Sequence, residues 1–310
     1  MTDPNVDRPR IGYMGLGYMG HGAARNILAK GYRLSILGNR NRTPVDDLLA
    51  RGAREARDPA DLARQSDVVF LCLPSSVEVE AAVFGPSGIL SEARPGLVLV
   101  DSTTADPAST RRIGAAMMDK GASMLDAPLG RTPREAESGT LSTFVGGEPD
   151  VIARVRPVIE AFASTVVATG GLGSGHTTKL LNNFLAIATS AVVGEGLATA
   201  LRLGIDMQVF KQVVDTGGGN SVMFQRYAHW VLHADDSHFQ AQMSIATKDL
   251  KYYRKIAEEN GCPTTLSDAA SQLYNLANLL GHSRQFMPVL PTILANLSDG
   301  GARPLPAERA

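Results

Sequence analysis

Three groups of residues in this 310-residue chain have types and spacings suited to chemistry. The first is the run "GLGYMG", which sets Gly15, Gly17 and Gly20 in GxGxxG spacing behind a short apolar segment and ahead of a helical one. Such glycines permit a tight turn, let a pyrophosphate approach the backbone and allow close packing of helix on strand. The second is "KLLNN", where Lys179, Asn182, Asn183 and Ala186 stand at spacings of three, four and seven, so that a helix carries them on one face. An amine and two amides on an otherwise apolar helix must meet a ligand, water or another polar group, because burying them unpaired is costly. A lysine in apolar surroundings has its pKa lowered from about 10.4 toward neutrality and can then give a proton to a developing alkoxide or take one from an alcohol. Lys179 is therefore the candidate acid/base, with Asn182 bonding the reacting oxygen or orienting the amine and Asn183 holding a polar head group. The third is "DAPLGRTPREAESGTL", where Arg131 stands alone in a loop of Gly, Pro and small residues. Its planar fork suits a carboxylate or a sulfonate.

The end of the second apolar segment, "LSILGNRNRTP", decides between dinucleotides. An acid there bonds the adenosine ribose and repels a 2'-phosphate. Gly38 and Asn39 occupy the place instead, followed by Arg40 and Arg42, and this pattern favours NADP over NAD.

Elements able to position these groups alternate through the first half. Apolar runs at residues 10–14, 33–37, 67–73, 97–101 and 123–127 are separated by segments of helical length, the pattern of a parallel sheet with crossover helices covering both faces. After the glycine cluster at 170–175 only helical periodicity remains. The expected architecture is an α/β Rossmann-type doubly wound domain over residues 9–172 and an all-α domain over residues 173–298, joined by a long helix. The lead before residue 9 and the tail after Ser298 read as irregular. The apolar run from Leu180 to Leu201 is interrupted by Asn182, Asn183 and Glu195, and reads as a helix buried in protein rather than in a membrane.

The bulk composition narrows the partners. With 30 Lys plus Arg against 31 Asp plus Glu, there is no basic excess to advertise a nucleic-acid surface. Two cysteines far apart, Cys72 and Cys262, argue against a disulfide framework and for a reducing, cytoplasmic setting, and both read as buried thiols. His229 and His233 lie four apart on a helix, but no third ligand has suitable spacing, so no metal is expected. His176 reads as a polar lining residue just ahead of the helix that carries Lys179.

Taken in order along the chain, "GLGYMG", "FLCLP", "DSTTADP", "DAPLGRTPREAESGTL", "GSGHTTKLLNN" and "TKDL" resemble the β-hydroxyacid dehydrogenase family, the relatives of 3-hydroxyisobutyrate dehydrogenase. The resemblance implies a dinucleotide domain, an interdomain helix and a helical domain that builds homodimers or homotetramers. It implies that Tyr18 and Met19 touch the cofactor phosphates, and that Leu73, Pro74 and Thr104 lie on the nicotinamide side. Lys248 would close over cofactor and substrate, with Asp249 orienting its surroundings. Thr103, Gly130, Arg131 and Thr132 would join Asn182, Asn183 and Ala186 around the substrate. Most relatives have a Ser-Gly-Gly run after "DAP", and "GRTP" here resembles the branch typified by sulfolactaldehyde reductase, in which an arginine grips a sulfonate. Reduction of glyoxylate or succinic semialdehyde and oxidation of 3-hydroxyisobutyrate-like acids are the alternatives within the family. A cofactor-binding sensor without turnover is the alternative outside it.

Overall fold

The computed structural model describes residues 8–297 and 303–305. The lead and tail noted above therefore lie largely outside the described residues. The chain divides into two compact units, Met1–Lys179 and Leu180–Ala310.

In the first unit the strands are β1 (Ile11–Met14), β2 (Leu34–Leu37), β3 (Arg54–Glu55), β4 (Val68–Leu71), β5 (Val98–Asp101), β6 (Ser123–Asp126), β7 (Leu129–Gly130), β8 (Leu141–Gly146) and β9 (Ala163–Gly170). Among the described residues they form one sheet in the order β3-β2-β1-β4-β5-β6-β8-β7, with β9 beside β8. β1 to β6 run parallel to one another, with Ile11 level with Leu34 on one side and Val68 on the other. β8 runs antiparallel to β6 and β7, so the sheet is mostly parallel rather than wholly so. Strand order reverses between β1 and β4, and the crevice outside their carboxyl ends is where such sheets bind ligands.

The apolar strands are buried on both faces because each contributes alternately to two cores. Val68 and Phe70 pack with Ile11, Tyr13, Val98 and Val100 on one face, while Val69, Leu71 and Leu99 pack on the other. In the first core Tyr13 stacks on Phe70 with ring centroids 5.9 Å apart, and Phe70 meets Phe162 edge to face at 5.8 Å. The helices are α1 (Gly20–Ala29), α2 (Thr43–Ala50), α3 (Pro59–Arg64), α4 (Ser76–Phe84), α5 (Pro107–Met118), α6 (Pro133–Ser138) and α7 (Pro149–Ile159). Asp58, Ser75 and Asp106 start α3, α4 and α5 by accepting backbone N–H bonds from the first turn, and proline stands within the first two positions of α3 and α5.

α8 (Ser174–Arg202) carries the chain from the first unit into the second and begins inside the glycine cluster. It is long and apolar enough to cross a membrane, with a mean hydropathy of 1.6 over its most apolar stretch. Leu180, Ile187, Ala191 and Leu197 on it are nonetheless buried within protein. The second unit continues through α9 (Met207–Asp215), α10 (Val222–His233), α11 (Met243–Glu259), α12 (Thr265–Ala277) and α13 (Leu290–Asn296). Its core gathers Phe224, Tyr227, Trp230, Tyr274 and Leu290. Trp230 donates to Thr292 Oγ1 at 2.9 Å, and the hydroxyls of Tyr227 and Tyr274 lie 3.3 Å apart, so the polar tips of these buried rings are satisfied.

Candidate functional site

The glycine loop lies where the strand order reverses. Gly15 has φ +99°, a conformation that favours glycine, and a Cβ there would overlap the Cys72 carbonyl. A Cβ on Gly20 would overlap the Gly15 carbonyl, whereas a Cβ on Gly17 would meet nothing. Gly17 thus leaves open space over the loop, as a pyrophosphate requires. No side chain caps the N-terminus of α1, where the His21 N–H bonds the Gly17 carbonyl at 3.0 Å, and this helix start faces the loop. The loop forms one wall of a cavity of about 770 Å³ whose lining includes Gly15, Gly17, Tyr18, Met19, Gly20, Asn39, Arg40, Leu73 and Pro74. Nine of the residues expected from sequence to hold the dinucleotide therefore share one cavity, and its shape and glycines fit that group. Arg57 also lines it, a residue that sequence reasoning missed. It follows the short edge strand β3, which has no hydrophobic signature of its own.

The two arginines expected at the phosphate differ. Among the described residues the Arg40 side chain makes no hydrogen bond or ion pair, and it lines the cavity. Arg42 instead grips Glu55 with both ends of its fork, at 2.6 and 2.9 Å, and approaches Asp46 at 3.4 Å. Arg42 is thus engaged by carboxylates rather than offered to a phosphate. The hydrogen bond from Arg42 lowers the Glu55 pKa, and the same bond raises that of Arg42.

Beyond the cavity, the carboxyl ends of β5 and β6 carry two buried acids, Asp101 and Asp126. Asp101 accepts the Thr103 N–H at 2.9 Å, and Thr103 Oγ1 accepts the Leu73 N–H at 3.0 Å. Thr103, expected at the substrate, is buried and ties the β5 end to the β4 end, setting Leu73 in the cavity wall; Thr104 beside it is half-buried. Burial raises the Asp101 pKa above the ordinary carboxylate value. Asp126 accepts the backbone N–H groups of Gly173 and His176, both at 2.7 Å, and so caps α8. His176 corrects the expectation that it precedes the helix and lines the site. It lies in the first turn of α8, fully buried, with Nδ1 2.7 Å from Thr110 Oγ1. Lys179 follows three residues later and is half-buried.

Gly130 ends β7 opposite Ser142, and Arg131 follows with φ +77°, one of two non-glycine residues at positive φ among those described. Its guanidinium bonds the Thr140 carbonyl at 2.5 Å, Ser164 Oγ at 3.3 Å and Thr165 Oγ1 at 3.5 Å. The expected anion clamp is here a tie across the starts of β8 and β9. Thr132 likewise departs from its expected place at the substrate: with Glu135 it forms the capping box of α6, its N–H and hydroxyl both bonding the Glu135 carboxylate.

In the second unit a chain of polar groups runs along α8 and α11. Asn182 donates to Asn183 Oδ1 at 3.4 Å, Asn183 donates to Asp249 Oδ2 at 2.6 Å, and the Lys248 amine is 3.1 Å from Asp249 Oδ1. Asp249, nearly fully buried, is the centre of this chain. Ala186, one turn along α8, is half-buried, and Phe184 stacks on Tyr253 with centroids 4.0 Å apart.

Two smaller expectations change. His229 does find companions that spacing hides: the turn after α10 brings Asp235 and His238 back, with ligand atoms within 4.8 Å of one another. The His229 and His238 rings stack in parallel at 3.7 Å and Asp235 hydrogen-bonds His229, so the cluster is already internally satisfied. Cys262 is exposed and Cys72 half-buried, and neither is in a disulfide.

Residues 10–171 match the family model described as the NAD-binding domain of 6-phosphogluconate dehydrogenase. Residues 173–292 match that of the NAD-binding domain of NADP-dependent 3-hydroxyisobutyrate dehydrogenase. The chain is 32% identical to the 3-sulfolactaldehyde reductase of Escherichia coli, over 89% of this chain and 92% of that one. It is 30% identical to the NAD-dependent L-serine dehydrogenase of Pseudomonas aeruginosa, over 91% and 96%. Among solved structures, the 3-hydroxyisobutyrate dehydrogenase of Salmonella typhimurium superposes with a TM-score of 0.81 at 28% identity, covering 92% of this chain and 99% of that one.

Proposed function

The chain belongs to the β-hydroxyacid dehydrogenase family, and we propose that within this family of NAD(P)-dependent oxidoreductases acting on CH–OH groups it interconverts a short anionic hydroxy acid and its semialdehyde, with 3-sulfolactaldehyde the leading substrate. When bound, the nicotinamide cofactor supplies or accepts the hydride. The residues that would hold it are the glycine loop, Tyr18, Met19, Asn39, Arg40, Leu73 and Pro74 around the cavity.

The observation that carries the reading is the amine of Lys179 on the turn of α8 directly after the buried Asp126 cap. A lysine so placed gives a proton to the carbonyl oxygen in reduction and takes it back in oxidation. Asn182 and Asn183 bond the reacting oxygen and the polar end of the substrate, and Asp249 orients Asn183 by accepting its amide N–H. Arg131 holds the anion. A non-glycine residue kept at φ +77° costs of order 1 kcal/mol or more, which points to a role that offsets the strain. The name of the Escherichia coli relative supports a sulfonate as that anion.

A carboxylated substrate is the second reading. It is favoured by the relative named for L-serine. A panel of sulfonated and carboxylated aldehydes and hydroxy acids, assayed with NADH and NADPH, decides between them. Turnover of uncharged aldehydes at equal efficiency would remove the anion requirement, and no turnover of any would favour a sensor. The assembly we propose is a homo-oligomer. Leu185 and Val192 on α8 and Leu266 on α12 are exposed around an apolar groove of about 650 Å³ in the second unit, which a second copy would cover. A monomeric mass in light scattering would contradict it.

A further inference from the structure

Where an acid would ordinarily end β2, this chain has Gly38, and Glu55 reaches the vacancy from the neighbouring strand. β2 and β3 are parallel, with Ile36 level with Glu55, and the Glu55 side chain extends forward past the end of β2. A Cβ built on Gly38 would lie 2.5 Å from Glu55 Oε1, about the distance at which an aspartate's own carboxylate oxygens stand from their Cβ. Gly38 has no positive φ, so conformation does not demand glycine there. Room for Glu55 and for Arg42, whose Nη1 would lie 2.9 Å from that Cβ, does.

We infer that Glu55 is the residue that sets dinucleotide choice, taking the role of the missing strand-end acid and withholding Arg42 from a 2'-phosphate. Arg42 is gripped at both ends of its fork by Glu55, so a phosphate must displace a carboxylate to reach it. Gly38 and Arg40 line the cavity beside this pair, which places the pair at the adenosine end rather than the nicotinamide end, where Leu73 and Pro74 lie. The carboxylate accepts a bond from a ribose hydroxyl but repels a phosphate in the same place, a discrimination made by an unfavourable group as much as by a favourable one. The inference rests on the dinucleotide reading of the cavity and on nothing about the substrate.

The test is direct binding of NADH and NADPH, followed by cofactor fluorescence in the absence of substrate. It compares the unmodified chain, Glu55→Gln, Arg42→Met and the double variant. Glu55→Gln keeps the shape of the side chain and removes its charge, and the ratio of NADPH to NADH affinity is expected to rise roughly ten- to hundredfold. Arg42→Met is expected to lower NADPH affinity at least about tenfold more in the Glu55→Gln background than in the unmodified chain, because only there is the guanidinium released. An unchanged ratio, an equal change for both cofactors, or an Arg42→Met effect of the same size in both backgrounds overturns the inference. Failure of both cofactors to bind the unmodified chain would instead strike the dinucleotide reading itself.

Discussion

Replacing Arg131 by glycine separates the tie that the structure shows from the anion clamp proposed for the same side chain. As a tie, Arg131 bonds the Thr140 carbonyl and the hydroxyls of Ser164 and Thr165 at an exposed edge of the sheet. Bonds of this kind contribute about 0.5–1.5 kcal/mol net. As a strained residue at φ +77°, it costs roughly 1–2 kcal/mol that glycine does not. The two terms oppose each other, so Arg131→Gly is expected to leave the melting temperature within about 3 °C of the parent. As an anion clamp, the guanidinium would contribute about 1.5–3 kcal/mol through charge-assisted bonds, or roughly a 10- to 150-fold loss of kcat/KM for an anionic aldehyde when removed. The anion is present in ground state and transition state alike, so the loss should fall mainly on KM. An uncharged aldehyde of similar size, run in parallel, should show no such loss. Unfolding by circular dichroism and initial rates on both aldehydes give the two readouts independently. A lower melting temperature with unchanged KM for the anion would refute the clamp and leave Arg131 only the β8–β9 tie.

Three further outcomes follow from the geometry. Lys179→Met should lower kcat by about 10²–10⁴ while dinucleotide binding, read by fluorescence, stays close to the parent's; near-normal turnover would remove the acid/base assignment. Gly20→Ala sets a methyl against the Gly15 carbonyl and should weaken binding of both dinucleotides together by about tenfold or more, so an unaltered affinity would mean that the loop is not the phosphate cradle. The Asp61 carboxyl is held at about 2 by its hydrogen bond from Arg57, below its ordinary 3.8. The stability it contributes is complete above the ordinary value and is lost as pH falls through the folded one. Asp61→Asn should flatten the melting-temperature profile between pH 4 and 2, and an unchanged acid limb would show that this pair does not matter to stability.

The parts legible in the sequence are those whose signal is local. β1, β2, β4, β5 and β6 are short apolar runs because both their faces are buried, and the glycine loop is read from six consecutive residues. β9 gives no such signal: it holds "ASTVVATG" and is largely exposed beyond its first residue, so its hydroxyls resemble a loop. β8, "LSTFVG", sets two hydroxyl residues side by side between apolar ones and reverses direction, which no periodicity reports. Thr132 shows a different failure. "TPRE" carries the T-x-x-E pattern of a capping box, whereas the family resemblance places Thr132 at the substrate, and the cap is what the local backbone requires. Arg42 and Glu55 are 13 residues apart on different elements, and only the pairing of β2 with β3 brings them together.

The position of Lys179 shows how a long-range constraint becomes visible once the sheet is known. Two backbone N–H groups at the start of α8, from Gly173 and His176, converge on one buried carboxylate, Asp126, which ends a strand some 50 residues earlier. A carboxylate at the positive end of a helix is favourable, and this one also consumes donors that would otherwise be left unpaired in the interior. Close approach is possible only because position 175 is glycine: a Cβ there would overlap the Phe144 carbonyl and stand 2.8 Å from the Asp126 carbonyl oxygen. "SMLD" and "GSGH" are therefore one device written in two places, a strand-end acid and a helix start without a side chain in the way. From His176 to Lys179 the helix rises about 4.5 Å. The acid thereby fixes where the Lys179 backbone stands relative to the carboxyl edge of the sheet, the same edge that carries Leu73 and the dinucleotide cavity. In the proposed reaction, proton transfer would depend on that placement, and Asp126 would act through the backbone it holds rather than through its own charge.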